Sequence, residues 1–132
     1  MANRILFDTG ALIDIYRGRE PIRAHYESIL AGETQAYISA ITEAELWRGV
    51  KQNEIERHET IVSLFISLPL DSNAARLAGQ WMREYESKGL GWMDALITAT
   101  AKQADLLVLT RDAKLARVLS GNAMFEVYNP FP

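Results

Sequence analysis

The chain predicts an α/β fold, a three-layer sandwich with a central parallel sheet and helices on both faces. Three observations carry that expectation. Short apolar runs alternate with helix-length patterns from one end to the other, the signature of strands joined by helical crossovers. Leu106 to Leu109 is a continuous apolar run, as a strand covered on both faces requires. Ala74, Leu77, Ala78, Trp81, Met82 and Tyr85 repeat at helical spacing, marking one wall of a packed layer.

The elements follow in order. Arg4 to Phe7 reads as a short buried strand and Thr9 to Tyr16 as a helix ended by Gly18. Pro21 suits the first turn of a second helix, with Ile22, Tyr26, Ile29 and Leu30 on one face and Gly32 as its stop. Ala36 to Ile38 is a second strand. Ser39 or Thr42 can cap a helix running to about Gln52, and Glu54 to Phe65 is another helix. Ile66 to Leu70 is a short strand whose proline suits a sheet edge. Asp71-Ser72 caps the amphipathic helix. After the Lys88–Gly91 loop come a helix from Trp92 to Gln103, the Leu106–Leu109 strand and a helix from Asp112 to Leu119. A turn at Gly121-Asn122 and a last strand from Phe125 to Tyr128 close the chain. No repeat, low-complexity stretch or linker interrupts it, so residues 1–132 are expected to form a single domain.

Composition narrows the function. Hydrophobic residues make up 48% of the 132, enough for a substantial core. Cysteine is absent, which excludes disulfides and thiolate zinc sites and suits a reducing cytosol. The start, Met1 to Arg4, is not followed by a signal-like apolar stretch, and no run approaches membrane-spanning length. A soluble cytoplasmic protein with no membrane role is expected. The net charge of −3 argues against a grip on nucleic acid through bulk charge. An acidic, metal-loaded cleft with local cations on its rim can still hold a phosphate backbone.

Four acidic residues stand at informative places. Asp8 ends the first apolar run and opens a helix. Asp112 does the same after the Leu106–Thr110 run. Both positions suit helix N-caps. Both also lie at the carboxyl ends of parallel strands, where α/β folds bind ligands. Asp94 sits near a helix start, where the dipole favours a carboxylate, among apolar Trp92, Met93, Leu96 and Ile97. A carboxylate buried there needs a partner, and a cation is one. Glu45 and Glu43 compete on the helix after the second strand, and periodicity does not choose between them. A set of carboxylate oxygens suits Mg²⁺ or Mn²⁺ and phosphodiester hydrolysis.

Four segments together resemble the PIN-domain ribonucleases, specifically the VapC toxins of bacterial toxin–antitoxin pairs. They are Ile5-Leu6-Phe7-Asp8-Thr9-Gly10-Ala11-Leu12-Ile13-Asp14, Ile38 to Gly49 with Glu45 before Leu46, Asp94-Ala95-Leu96-Ile97-Thr98-Ala99-Thr100-Ala101, and Leu107-Val108-Leu109-Thr110-Arg111-Asp112. No one segment is specific; their order and spacing across the chain are. The resemblance selects Glu45 over Glu43. It implies that Asp8, Glu45, Asp94 and Asp112 bind Mg²⁺ (or Mn²⁺) and are the catalytic acids, with Thr9 and Thr110 as supporting hydroxyls. It implies RNA as substrate, a VapB-type antitoxin as partner, and a homodimer. Without metal, such a cluster should repel itself and raise some carboxylate pKa values.

Three departures from the family pattern stand out. Gly10 occupies a position usually Ser or Asn. Glu43 replaces an apolar residue. Lys114-Leu115 stands where an Asp-Phe pair is common. Arg17, Arg19, Arg48, Lys51, Lys88, Arg111 and Lys114 are candidate rim cations, most of them read as solvated charges. Trp47 and Trp92 can stack bases, although core or interface packing is the plainer expectation. His25 and His58 lack ligand spacing and are assigned no role.

Rival readings are few. Asp8-Thr9-Gly10 matches the aspartic-protease triplet, but that fold is all-β and this chain is rich in helices. A haloacid-type phosphatase would want an Asp where Gly10 stands. A PIN-like module that binds RNA or protein without cutting is the non-enzyme alternative.

Overall fold

The structure, a computed structural model, describes residues 3–132. Met1 and Ala2, read above as part of a plain chain start, lie outside them. Five parallel strands form one sheet in the order β3-β2-β1-β4-β5. They are β1 (Asn3–Phe7), β2 (Thr34–Ser39), β3 (Ile66–Leu68), β4 (Leu107–Thr110) and β5 (Phe125–Val127). The helices are α1 (Thr9–Tyr16), α2 (Glu20–Leu30), α3 (Ala40–Gly49), α4 (Ile55–Val62), α5 (Ser72–Tyr85), α6 (Trp92–Gln103) and α7 (Ala113–Val118). None is long and apolar enough to cross a membrane.

The two-residue period of β1 builds the layers. Ile5 and Phe7 point to one face and pack with Leu12 and Ile15 of α1, Ile22 of α2 and Ile61 of α4. Leu6 points to the other and packs with Ile97 and Ala101 of α6 and Val108 of β4. A second layer of contacts joins α5 to α6 through Ala74, Ala78, Trp81, Met82, Ala95 and Ala99. The small alanines let these two helices approach closely, which fixes α6 and the acid in its first turn.

The expected elements are present, with shifted ends. The helix expected to reach Gln52 stops at Gly49, and Val50 is extended. A short 3-10 turn at Gln52–Glu54 intervenes before α4, which ends at Val62 rather than Phe65. Ser39, not Thr42, caps α3, accepting from Ile41 N at 2.9 Å. Thr42 is fully buried instead. β3 is an edge strand as expected, and Pro69 falls just beyond it. Gly32 stops α2 in a left-handed conformation (φ +75°) that glycine adopts without a Cβ clash.

The decisive feature is the strand order. β1 is flanked by β2 on one side and β4 on the other, so the chain reverses its winding there. Crevices at such a reversal, beyond the carboxyl ends of the strands, are where α/β sheets take ligands. Asp8 leaves β1 and Asp112 follows β4 at that point.

Candidate active site

Asp8 is 8% exposed. Its backbone N–H donates to Leu109 O at 3.0 Å, extending the β1–β4 pairing past the strand end. One carboxylate oxygen, Oδ1, accepts from Thr9 N at 2.9 Å and caps α1. The other, Oδ2, accepts from the Thr110 hydroxyl at 2.8 Å. Burial pushes the Asp8 pKa up; these two hydrogen bonds pull against it, and the charges of Glu45 and Asp112 add to the rise.

Glu45 reaches the same crevice from α3. Its Oε1 accepts from the Thr9 hydroxyl at 2.7 Å. That hydroxyl also lies 3.0 Å from Thr42 Oγ1, one turn earlier on the same face of α3. Thr9 thus ties α1 to α3 at the site. Glu43 turns elsewhere and accepts from the Ser67 hydroxyl at the sheet edge.

Asp94 lies in the first turn of α6 and is partly buried. Its pKa is pushed up to about 6, chiefly by burial and then by the charges of Asp8, Asp112 and Glu45. This mutual repulsion puts all four acids in one electrostatic neighbourhood. Asp112 is exposed and caps α7, accepting from Leu115 N at 3.0 Å. Its own N–H donates to Thr110 Oγ1 at 3.0 Å, so Thr110 links Asp112 to Asp8.

The acids share a crevice, yet among the described residues no three His, Cys, Asp or Glu side chains stand close enough to form a ligand cage. The hydrogen bonds explain why. Asp8 and Glu45 are each held by a hydroxyl of a neighbouring element, Thr110 and Thr9, and Asp112 by the Leu115 N–H of its own helix, so their oxygens are engaged with separate donors rather than converged on one point.

Other expected residues take mixed places. Arg17, Arg48, Lys51, Lys88 and Lys114 are exposed. Arg19 and Arg111 are not simply solvated: both approach Asp14. Trp47 and Trp92 are 43% and 51% exposed, so neither is a core residue. They stand on helices whose apolar faces are already filled by Leu46 and by Ala95 and Ala99. His58, assigned no role, is buried; its Nδ1 lies 2.7 Å from the Tyr16 hydroxyl. It helps line a cavity of about 330 Å³ that reaches Glu45 between α1, α3 and α4.

Sequence reasoning missed Asp14. It is fully buried on α1, paired with Arg111, Arg19 and the Tyr128 hydroxyl. Its one signal was a charge inside the apolar run Ala11-Leu12-Ile13-Asp14-Ile15.

The family model of the PIN domain matches residues 5–119, spanning all four acids. The chain belongs to the PIN-domain family. Among curated proteins, this PIN domain is 35% identical to Toxin FitB of Neisseria gonorrhoeae, with 82% of this chain and 87% of that protein covered. Among solved structures it resembles FitAcB from Neisseria gonorrhoeae (28% identity, TM-score 0.75, 96% of this chain and 98% of that one). It also resembles a toxin–antitoxin complex from Klebsiella pneumoniae (29% identity, TM-score 0.75, 95% and 98%). VapBC2 from Rickettsia felis, bound to a DNA fragment from its promoter, shares the fold at TM-score 0.78 and 20% identity, with 96% and 99% covered.

The PIN site's donor set fits a hard divalent cation. It offers carboxylate and hydroxyl oxygens alone. The raised Asp94 pKa, chiefly an effect of burial, also carries the repulsion of Asp8, Asp112 and Glu45, and a cation would relieve that repulsion.

Proposed function

We propose that the chain is a toxin of the VapC type: an endoribonuclease, dependent on Mg²⁺ or Mn²⁺, that hydrolyses RNA phosphodiester bonds and is neutralised by a VapB-type antitoxin. The observation that carries the reading is the gathering of Asp8, Glu45, Asp94 and Asp112 at the β1/β4 reversal, where each of the other three raises the pKa of Asp94. Toxin FitB and the toxin–antitoxin complex from Klebsiella pneumoniae support the biological setting. In this reading the protein is cytoplasmic, residues 1–132 act as one domain, and two copies pair as a homodimer.

Asp8, Asp94, Glu45 and Asp112 would hold the metal, which when bound polarises the phosphate and lowers the pKa of an attacking water. The chain's own residues prepare that step. Thr110 fixes Asp8 Oδ2 and Thr9 fixes Glu45 Oε1, so both carboxylates are ordered before RNA arrives. Burial of Asp8 beneath the strand ends keeps water from one side of the site. Glu45 borders both the acidic crevice and the neighbouring cavity, so a strand of RNA lying there would meet it.

The test is cleavage of several structured RNAs by antitoxin-free protein in Mg²⁺, Mn²⁺ and EDTA, with Asp8→Ala prepared in parallel. Metal-dependent cutting that the variant lacks supports the nuclease, with 5′-phosphate and 3′-hydroxyl ends expected. Equal activity in both preparations means a contaminant. No cutting by well-folded protein would favour a binding module.

A further inference from the structure

Asp14 is the one carboxylate in the described residues with no exposure at all. A buried charge must be matched, and here the match exceeds the need. Arg111 Nη1 donates to Asp14 Oδ1 at 2.9 Å. Arg19 Nε stands 3.0 Å from the same oxygen, without hydrogen-bond alignment, and its guanidinium lies 4.4 Å over the Phe131 ring. The Tyr128 hydroxyl donates to Oδ2. One carboxylate facing two guanidiniums leaves one positive charge in surplus.

The surplus sits beside the acidic crevice. Arg111 lies between Thr110, which holds Asp8, and Asp112. Its side chain crosses the first turn of α1 at Gly10, two residues past Asp8. A Cβ built on Gly10 would stand 2.7 Å from Arg111 Nε and 3.3 Å from its Cδ and Cγ. Gly10 has ordinary helical geometry, so it is needed for the space. The Ser or Asn expected there from the family pattern would push the Arg111 side chain aside. Arg111 keeps 31% of its side chain exposed, and a guanidinium has more than one donor edge. With one edge on Asp14, another is free for an anion.

We propose that Arg111 is the cation of this site that grips an RNA phosphate, and that Asp14 is the positioning residue that aims it across Gly10. The assignment rests on the reading of the crevice as an RNA site. It supplies what the acidic cluster lacks, a fixed positive charge next to carboxylates that would otherwise repel the backbone.

The probe is a fluorescent single-stranded 2′-O-methyl RNA, which resists hydrolysis, bound in Mg²⁺ across a salt series and read by anisotropy. An unmodified RNA of the same sequence is assayed for cleavage alongside. Arg111→Gln is expected to weaken binding about tenfold and to make the slope of log affinity against log salt shallower by about 0.7, the value for one phosphate on a single strand. Arg111→Lys keeps the slope and loses part of the affinity. Gly10→Ala should match Arg111→Gln in binding with a thermal midpoint no lower than that variant's, since both loosen Arg111 from Asp14 and alanine favours the helix; a purely structural role would lower the midpoint without moving the salt slope. Asp14→Asn combined with Arg111→Gln should bind no more weakly than Arg111→Gln alone. Wild type and Arg111→Gln with equal affinity and slope would overturn the assignment, as would no binding by wild type at any salt. Arg111-dependent binding with no cleavage of the unmodified RNA would overturn the nuclease reading and leave this one standing.

Discussion

Thr110 and Asp8 lie 102 positions apart, and their side chains meet at 2.8 Å in the buried floor of the crevice. The contact joins the ends of β1 and β4, and the same hydroxyl accepts from the N–H of Asp112. Thr110→Val keeps the shape and removes the donor. Asp8 would lose the first of the two hydrogen bonds that offset its burial, and the Asp112 N–H would lose its acceptor. A loss of about 1–3 kcal/mol in unfolding free energy is expected, together with weaker RNA cleavage. Urea denaturation of the two proteins at pH 7.5 measures the first. An unchanged midpoint would mean that the contact contributes nothing.

Glu45 and Glu43 separate cleanly. Glu45 meets Thr9 in the crevice, whereas Glu43 meets Ser67 at the sheet edge. Glu45→Gln should lower cleavage by at least about 100-fold, since even outer-shell partners of a metal are worth 10–100-fold. Glu43→Gln should leave it within about threefold on the same scale. Equal losses in a side-by-side rate assay would remove the distinction.

Much of this site was legible because its positions obey local rules. Asp8 and Asp112 follow apolar strands and were read as caps; Asp112 accepts from the N–H of Leu115, three residues on, and Asp8 from that of Thr9, the first residue of its helix. Alternating strands and helices foretold a parallel sheet. Strand order was not legible, because the pairing of β1 with β4 joins segments about a hundred residues apart. Glu45 escaped periodicity for a related reason. Its partner, Thr9, belongs to another helix, and a helical wheel shows only which face a residue occupies. Asp14 was overlooked because its partners Arg111 and Tyr128 come from the far end of the chain. Gly10 departs from the family's Ser or Asn for a reason the sequence does not display: Arg111, from the far end of the chain, fills its space.

Asp112 has two roles that substitution can divide. Asparagine caps a helix as well as aspartate does, whereas alanine does not. Asp112→Asn should therefore keep α7 and the thermal midpoint while removing a charge from the cluster around Asp94. Asp112→Ala should cost about 0.5–2 kcal/mol. If Asp112 holds metal, both variants cut poorly. If only the alanine variant cuts poorly, Asp112 is a cap and nothing more.

The raised pKa of Asp94 makes a prediction for the metal-free protein. Burial and three neighbouring carboxylates hold its proton to about pH 6, against about 3.9 for an unfolded aspartate. The folded state therefore binds a proton more tightly than the unfolded chain, and stability falls as pH rises between those two values. The contribution is fully present below about pH 4 and is lost above the folded value. Asp94→Asn has no such proton. In EDTA, the thermal midpoint of wild type minus that of Asp94→Asn should therefore decline from pH 4.5 to pH 7.5, and the subtraction cancels the carboxylates that do not interact with Asp94. Mg²⁺ acts in the opposite sense. It favours the ionised cluster, so its stabilisation of wild type should grow over the same interval. A difference that stays flat across the series would show that Asp94 ionises like an ordinary surface carboxylate and that the four acids do not share one field.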